Sequence, residues 1–194
     1  MKILKTDERL IDEGYRYKIE GDLVSDTFID LTDLDKPLYV TGSIKAGMDI
    51  KAGMYIEAGG SIKAGGSIKA NEYIEAGGSI EADWFIKADE YIKAGGSIKA
   101  GEKYGISAGL NITCKGTLSF GLKAFAGICT WHEIPDEQKT ITCSKIIGGG
   151  VVEYGILKET GVSIDEPITI ELTREQMEQI RNNNACSITL KNGD

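Results

Sequence analysis

Residues 42–101 read GSIKAGMDIKAGMYIEAGGSIKAGGSIKANEYIEAGGSIEADWFIKADEYIKAGGSIKAG. Isoleucine occupies every sixth position of this stretch, without exception, from Ile44 to Ile98. Six is not a helical period, because apolar residues six apart drift around a helix and form no stripe. Six residues do fit a short strand and a corner, and the Gly, Asn or Asp that follows each alanine tolerates the positive φ of a bend. The stretch therefore predicts a β-solenoid.

A second period of eighteen residues sorts the repeats into three classes. Tyr55, Tyr73 and Tyr91 fall in one class, and Ser43, Ser61, Ser79 and Ser97 fall in another. If three repeats make one turn, residues of one class lie above one another on one side of the coil. The sequence thus predicts a mainly β fold, a three-sided parallel β-solenoid.

The six-residue spacing also sets the expected extent of the coil. It begins at Leu38, slips by two residues after Tyr104, and resumes from Ile106 to Ala124. This gives about five turns, with a solenoid over residues 38–130. We expect a small N-terminal β cap over residues 1–37, because the end of a solenoid exposes sheet edge and core. We expect a C-terminal α+β cap over residues 131–194, with one helix near Arg174–Asn182 after a capping box.

The repeats resemble the hexapeptide-repeat left-handed β-helix, whose turns also hold eighteen residues with an isoleucine-type residue at each sixth position. The resemblance covers about Leu38 to Gly127. This chain departs from that pattern two residues before the isoleucine, where the family usually has a small residue and this chain has residues such as Met54, Glu72 and Trp84. Bactofilin-type right-handed β-helices also have short, flat-faced turns. The resemblance favours a left-handed coil.

Composition excludes several classes of function. The 194 residues carry a net charge of −8, which disfavours direct binding of nucleic acid or an anionic membrane and is compatible with a basic protein partner. No apolar run is as long as a membrane span and no signal sequence is evident, so we expect a cytoplasmic protein. The four cysteines show no CxxC pair, and we expect no metal and no cofactor.

An acyltransferase is the enzyme class that the resemblance suggests, since many hexapeptide-repeat proteins have that activity and use a histidine base. The chain has one histidine, His132, beside Glu133. Adjacent residues on a strand point to opposite faces, so Glu133 would not orient His132. His132 also follows the repeats rather than interrupting them. We therefore expect no catalytic residue.

The outward positions offer a candidate binding surface. If each isoleucine points inward, its neighbours point outward, and Tyr55, Tyr73 and Tyr91 form a column with Glu57 and Glu75 beside it. Tyrosine is enriched at protein interfaces, which makes these five residues the predicted binding site. The alternative is an aromatic ladder that only stabilises the stack. A lysine column, Lys51, Lys69 and Lys87, is expected on another face.

The regular repeats predict a non-enzymatic interaction protein that presents flat faces to a protein partner or to copies of itself. An active site needs converging, irregular groups, which the repeats do not supply. Three alternatives stay open. The first is a small acidic inhibitor, such as one encoded by a phage, that blocks the nucleic-acid groove of a basic protein. The second is the hexapeptide-repeat acyltransferase, and the third is a structural or virion component.

Overall fold

The repeat isoleucines lie inside the coil, as predicted. All ten from Ile44 to Ile98 have no solvent-exposed surface. Each begins a short strand whose middle residue faces outward and whose alanine is again buried, as in Ile74–Ala76. Alternation of faces along a strand explains this pattern. The Ile-x-Ala segment is therefore the strand of each repeat, and the next three residues are the corner.

The computed structural model of the chain describes residues 1–129 and 133–161, which belong to one unit of residues 1–161. A 3-10 helix at Asp136–Gln138 is the one helical element of the described residues. The strands are, in chain order, β1 (Ile11–Asp12), β2 (Tyr17–Ile19), β3 (Leu23–Ser25), β4 (Ile29–Leu31), β5 (Leu38–Val40), β6 (Ile44–Ala46), β7 (Ile50–Ala52), β8 (Ile56–Ala58), β9 (Ile62–Ala64), β10 (Ile68–Ala70), β11 (Ile74–Ala76), β12 (Ile80–Ala82), β13 (Ile86–Ala88), β14 (Ile92–Ala94), β15 (Ile98–Lys99), β16 (Ile106–Ala108), β17 (Ile112–Cys114), β18 (Leu118–Ser119), β19 (Lys123–Ala126), β20 (Thr140–Cys143), β21 (Ile146–Ile147), β22 (Val151–Tyr154) and β23 (Ile156–Glu159).

Three parallel sheets form the sides of the solenoid, and every third strand of the chain joins the same sheet. The tyrosine face is the sheet β1-β2-β5-β8-β11-β14-β17-β20-β23. The serine face is β3-β6-β9-β12-β15-β18-β21, and the lysine face is β4-β7-β10-β13-β16-β19-β22. Strands stack in register, so that Ile68 pairs with Ile50 on one side and with Ile86 on the other. The core consists of the isoleucine and alanine side chains of the repeats, and of the apolar residues that take the same positions in the other turns.

The predicted count of five turns is wrong, since the coil has about eight. Strands β2 to β4 pair in parallel with β5 to β7, and β20 to β23 continue the stack at the other end. These turns lack the repeat text but keep apolar residues inside, such as Leu23, Ile29 and Ile141. A strand keeps its register in a parallel stack if an apolar residue points inward at the matching position, and that residue need not be isoleucine. The coil thus extends beyond residues 38 and 130 in both directions.

The N-terminal cap is shorter than expected. Strand β1 runs antiparallel to β2, and Ile3 is fully buried against the core. The Ile3 amide donates to the carbonyl oxygen of Asp30 at 2.9 Å, which ties this segment to β4. Residues before β2 therefore cover the first turn, while residues 17–31 are themselves a turn. The predicted helix near Arg174–Asn182 lies outside the described residues.

Corner glycines serve a different purpose from the predicted one. The described glycines with positive φ are Gly14, Gly21, Gly127, Gly148 and Gly155, and none of them follows a repeat alanine in residues 42–101. At glycine corners such as Gly77, a Cβ atom would instead collide with the previous turn, lying 2.2 Å from the Gly59 carbonyl oxygen, whereas the corners at Asn71, Asp83 and Asp89 accept a side chain. Close approach between turns, rather than a left-handed backbone, selects glycine there.

The GSI repeats form a hydrogen-bonded ladder along the serine face. Ser61 Oγ accepts from the amide of Ser79, eighteen residues later, at 3.1 Å. The same bond joins Ser43 to Ser61 and Ser79 to Ser97. Each hydroxyl leans over a glycine of the next turn, which explains the glycines at positions 60, 78, 96 and 116. The serine class is thus a structural feature of the coil.

Candidate protein-interaction surfaces

The predicted tyrosine column exists. Tyr55 and Tyr73 stack with ring centroids 4.3 Å apart, and Tyr73 and Tyr91 stack at 4.6 Å, with the ring planes inclined by 13° and 6°. Each tyrosine directly precedes the inward isoleucine of β8, β11 or β14, so the eighteen-residue turn places the three rings one above another. All three side chains are half-buried. Stacking covers the ring faces that the three tyrosines turn toward one another.

The two glutamates predicted as a charged rim lie beside the column but already have partners. Glu57 accepts from the Arg16 guanidinium at 3.3 Å. Glu75 forms a salt bridge with Lys93 at 2.7 Å and accepts from the Tyr91 hydroxyl at 3.2 Å. The structure therefore brings the five predicted residues together, with both carboxylates engaged inside the molecule.

Burial extends the neutral range of the tyrosine hydroxyls to higher pH. Loss of water raises the pKa of Tyr55, Tyr73 and Tyr91 above the usual tyrosine value, and the nearby Glu75 raises the pKa of Tyr91 further. A column of stacked, neutral rings stabilises neighbouring turns as a cross-strand ladder. Its role in binding stays a prediction.

The lysine face carries a second surface, which the sequence interpretation missed. Its C-terminal half holds a group of large apolar side chains, here named the apolar patch: Trp84, Phe85, Leu122, Phe125, Val151 and Tyr154. Five of them are more than a third exposed, from 38% for Phe85 to 60% for Val151. These side chains are more open to solvent than the half-buried tyrosines of the column.

Two irregularities hid the apolar patch in the sequence. Turns are normally eighteen residues long, but the turn that ends at Thr117 has twenty, with Glu102 and Lys103 forming an exposed corner. As a result Tyr104 lies beside Trp84, with ring centroids 5.9 Å apart. A longer insertion, within residues 127–139, separates Phe125 from its neighbour Tyr154. Aligning Ile106 with Ile86 across the slip would have shown part of the patch.

A shallow cleft of about 350 Å³ opens in the apolar patch. Phe85, Leu122 and Phe125 line it, together with Lys87, Lys123 and Gly105. Gly105 has no side chain to fill the cleft, and a Cβ atom there would lie 2.2 Å from the Lys123 carbonyl oxygen. The cleft is thus a fixed part of the coil, lined mainly by apolar side chains and by two lysines that are each paired with a carboxylate, Lys87 with Asp89 and Lys123 with Glu153.

The predicted lysine column forms the other half of this face. Lys51 pairs with Asp49 at 3.4 Å, and Lys87 pairs with Asp89 at 3.5 Å. Lys69, between them, forms no salt bridge within the described part of the chain. Aspartates on the same turns screen two of the three lysines, which explains how like charges can stack about 4.8 Å apart.

The described residues contain no group of three or more His, Cys, Asp or Glu side chains placed to hold a metal ion. No helix within these residues is long and apolar enough to cross a membrane. His132, the histidine weighed as an acyltransferase base, lies outside them.

Comparisons with protein families, with curated proteins and with solved structures gave no match for this chain.

Proposed function

We propose that this chain is a non-enzymatic β-solenoid that binds a protein through its outward faces. The apolar patch carries the proposal. Exposed apolar groups that adjoin one another on a flat surface are typical of protein-interaction sites, whereas single exposed hydrophobic residues are common everywhere. Aromatic residues such as Trp84, Phe85 and Tyr154 are enriched in such sites.

The solenoid also supports binding by its rigidity. Successive turns are joined by backbone hydrogen bonds, as between the Gly77 amide and the Ala58 carbonyl oxygen at 2.9 Å. Among the described residues no buried side-chain nitrogen or oxygen lacks a hydrogen-bond partner. A surface held in this way loses little conformational entropy on binding, which favours affinity.

The remaining expectations stay predictions. They are the left-handed coil of the hexapeptide-repeat resemblance, the cytoplasmic location, and the inhibitor, acyltransferase and virion alternatives. An acyl-transfer assay on the wild type and on His132→Ala separates the enzyme from the proposal. An activity that His132→Ala removes while the fold is intact would replace the proposed function.

Photo-crosslinking tests the proposed function directly. Benzoylphenylalanine replaces Phe85 in the apolar patch or, as a matched control, Val24 on the serine face, which is likewise apolar and 54% exposed. Both variants are irradiated in extracts of cells that natively produce the protein. We expect one discrete crosslinked protein, of the same or another sequence, from position 85 and none from position 24.

A second pair of variants controls for the fold and compares the two surfaces. Leu122→Glu should abolish the crosslink at position 85 without changing the melting temperature, because Leu122 is exposed. Tyr73→Ala should leave that crosslink in place if the tyrosine column is only a ladder. Equal crosslinking from positions 85 and 24, or a crosslink insensitive to Leu122→Glu, contradicts the proposal.

A further inference from the structure

The outward residues of the lysine face differ in kind on the two sides of strand β16: where one side has a lysine, the matching position on the other side has an aromatic residue. From β7 to β22, the middle residue of each strand forms one column, which reads Lys51, Lys69, Lys87, Ser107, Phe125, Tyr154. The residue before each inward side chain forms the other column, which reads Asp49, Ser67, Phe85, Gly105, Lys123, Val151. Strand β4, at the N-terminal end of the face, adds Asp30 to the first column beside Lys51. In the first column the lysines precede Ser107 and the aromatic residues follow it. In the second column Phe85 precedes Gly105 and Lys123 follows it.

This order is self-complementary under a two-fold rotation. An axis that runs along β16, between two lysine faces, reverses the direction of stacking and keeps each column in place. It brings Lys87 opposite Phe125 of a second copy, Lys69 opposite Tyr154, and Phe85 opposite Lys123. Each of these pairs occurs twice because the contact is symmetric. A lysine ammonium over an aromatic ring is a favourable contact that strengthens as water is excluded.

We propose that the lysine face binds a second copy of the same chain, in a symmetric dimer centred on β16. The proposal rests on the proposed function and names the partner. Ser107 and Gly105 are small, so the two sheets can approach closely at the axis. The cleft beside Gly105 would receive side chains of the other copy.

Other strands of the lysine face make poorer centres. An axis on β10 would place Lys69, which has no salt-bridge partner among the described residues, opposite itself. An axis on β13 or β19 would do the same for Lys87, which is paired with Asp89, or for Lys123, which is paired with Glu153 at 2.9 Å. Like charges facing each other in an interface are unfavourable. Lys69 gains an aromatic ring as a cation–π partner only when the centre lies near β16. The face is narrow, so the interface is small and the dimer should be weak and concentration-dependent.

Cysteine crosslinking tests the position of the axis. Ser107, Thr113 and Ser119 are the middle outward residues of one turn on the lysine, tyrosine and serine faces, and all three are partly exposed. Each is replaced singly by cysteine in a Cys129→Ser/Cys186→Ser background and treated with a short bifunctional thiol crosslinker, because packed sheets lie about 10 Å apart, which a disulfide does not span. Since Ser107 faces itself across the axis, we expect a crosslinked dimer from Ser107→Cys and none from the two controls.

Sedimentation measurements on variants that exchange Lys87 and Phe125 test whether these two residues face each other in the dimer. Phe125→Lys would place lysine opposite Lys87 twice and should weaken the dimer by about tenfold or more. Lys87→Phe/Phe125→Lys exchanges the two partners and should restore the affinity to within about threefold. A structural defect caused by Phe125→Lys would not be relieved by this second change, so rescue distinguishes the two explanations.

Three outcomes overturn the dimer. They are a monomer at about 1 mM chain, where even very weak complexes form, crosslinking through Thr113→Cys instead of Ser107→Cys, and no rescue in the exchange variant. If position 85 crosslinks a different protein while the chain stays monomeric, the proposed function stands and the dimer falls. If neither a crosslink nor a dimer is seen, both fall.

Discussion

The neighbouring glycines Gly77 and Gly78 should respond differently to the same substitution. A methyl group on Gly77 would lie 2.2 Å from the carbonyl oxygen of Gly59, which is backbone of the turn before. A methyl group on Gly78 would lie 2.4 Å from Ser61 Oγ, which is a rotatable side chain. Neither glycine has a positive φ, so alanine meets no backbone strain at either position. Any difference between the two substitutions in the free energy of unfolding therefore reflects the atoms that the added methyl group contacts.

The expected magnitudes follow from those contacts. Gly77→Ala can be relieved only by separating two turns, and overpacking of that kind should cost about 3 kcal/mol of the free energy of unfolding. Gly78→Ala displaces the Ser61 hydroxyl and breaks its 3.1 Å hydrogen bond with the Ser79 amide. That loss should cost about 1–2 kcal/mol. Reduced freedom of the unfolded chain offsets about 0.4–1 kcal/mol in both variants.

Urea denaturation followed by circular dichroism measures these values. Gly149→Ala is the control, since no atom lies within 4 Å of the added methyl group, and it should be neutral or slightly stabilising. Ser61→Ala removes the obstacle, so Gly78→Ala should cost little in that background while Gly77→Ala should cost as much as before. The reasoning is refuted if Gly77→Ala behaves like Gly149→Ala, or if Ser61→Ala does not rescue Gly78→Ala.

Three further predictions concern the core and its titratable groups. Ile74→Ala in the middle of the stack should lower the free energy of unfolding by about 2–5 kcal/mol in the same denaturation assay, and a smaller cost would mean that the coil closes over the cavity. Because burial raises the pKa of Tyr73 in the folded chain, the unfolded chain loses its proton first, and stability should fall as pH rises above about 10. Tyr73→Phe keeps the ring but not the hydroxyl, so its melting temperature should fall less than that of the wild type between about pH 9 and 11; equal falls would exclude a contribution from this hydroxyl. Burial raises the pKa of Cys114 to about 11 and also raises that of Cys143, so iodoacetamide at about pH 8 should modify them only after unfolding, as read by mass spectrometry with and without urea.

The sequence was sufficient to predict the coil, because an apolar residue at every sixth position corresponds to one strand and one corner in each repeat. The inward position of the isoleucines, the three sides and the resumption at Ile106 are confirmed, as is the stacking of Tyr73 between its neighbours. These features repeat, so each turn supplies independent support for the same assignment.

What the sequence did not show lies where the period fails. In the outer turns, residues such as Leu23 and Ile141 take the inward positions without the surrounding repeat sequence. The loops between the strands of these turns differ in length, so no fixed period marks them. The apolar patch joins segments on both sides of an insertion, so no regular spacing links Phe85 to Tyr154. The role of Gly77 depends on its distance to another turn, which residue type alone does not reveal.

The two extra residues at Glu102 and Lys103 also bear on how such a chain can change length. They lie at a solvent-exposed corner, and the strands on both sides keep their pairing, Ile86 with Ile106 and Ile98 with Leu118. An insertion at a corner bulges outward and leaves every later strand at its level. Duplication of a whole turn would preserve register equally well and lengthen the molecule by one strand spacing. A one-residue insertion within an Ile-x-Ala strand would move the inward-facing side chains that follow it to the outside, and the outward-facing ones to the inside. Corners and whole turns are therefore the positions at which genes for such coils can gain or lose residues without loss of the fold.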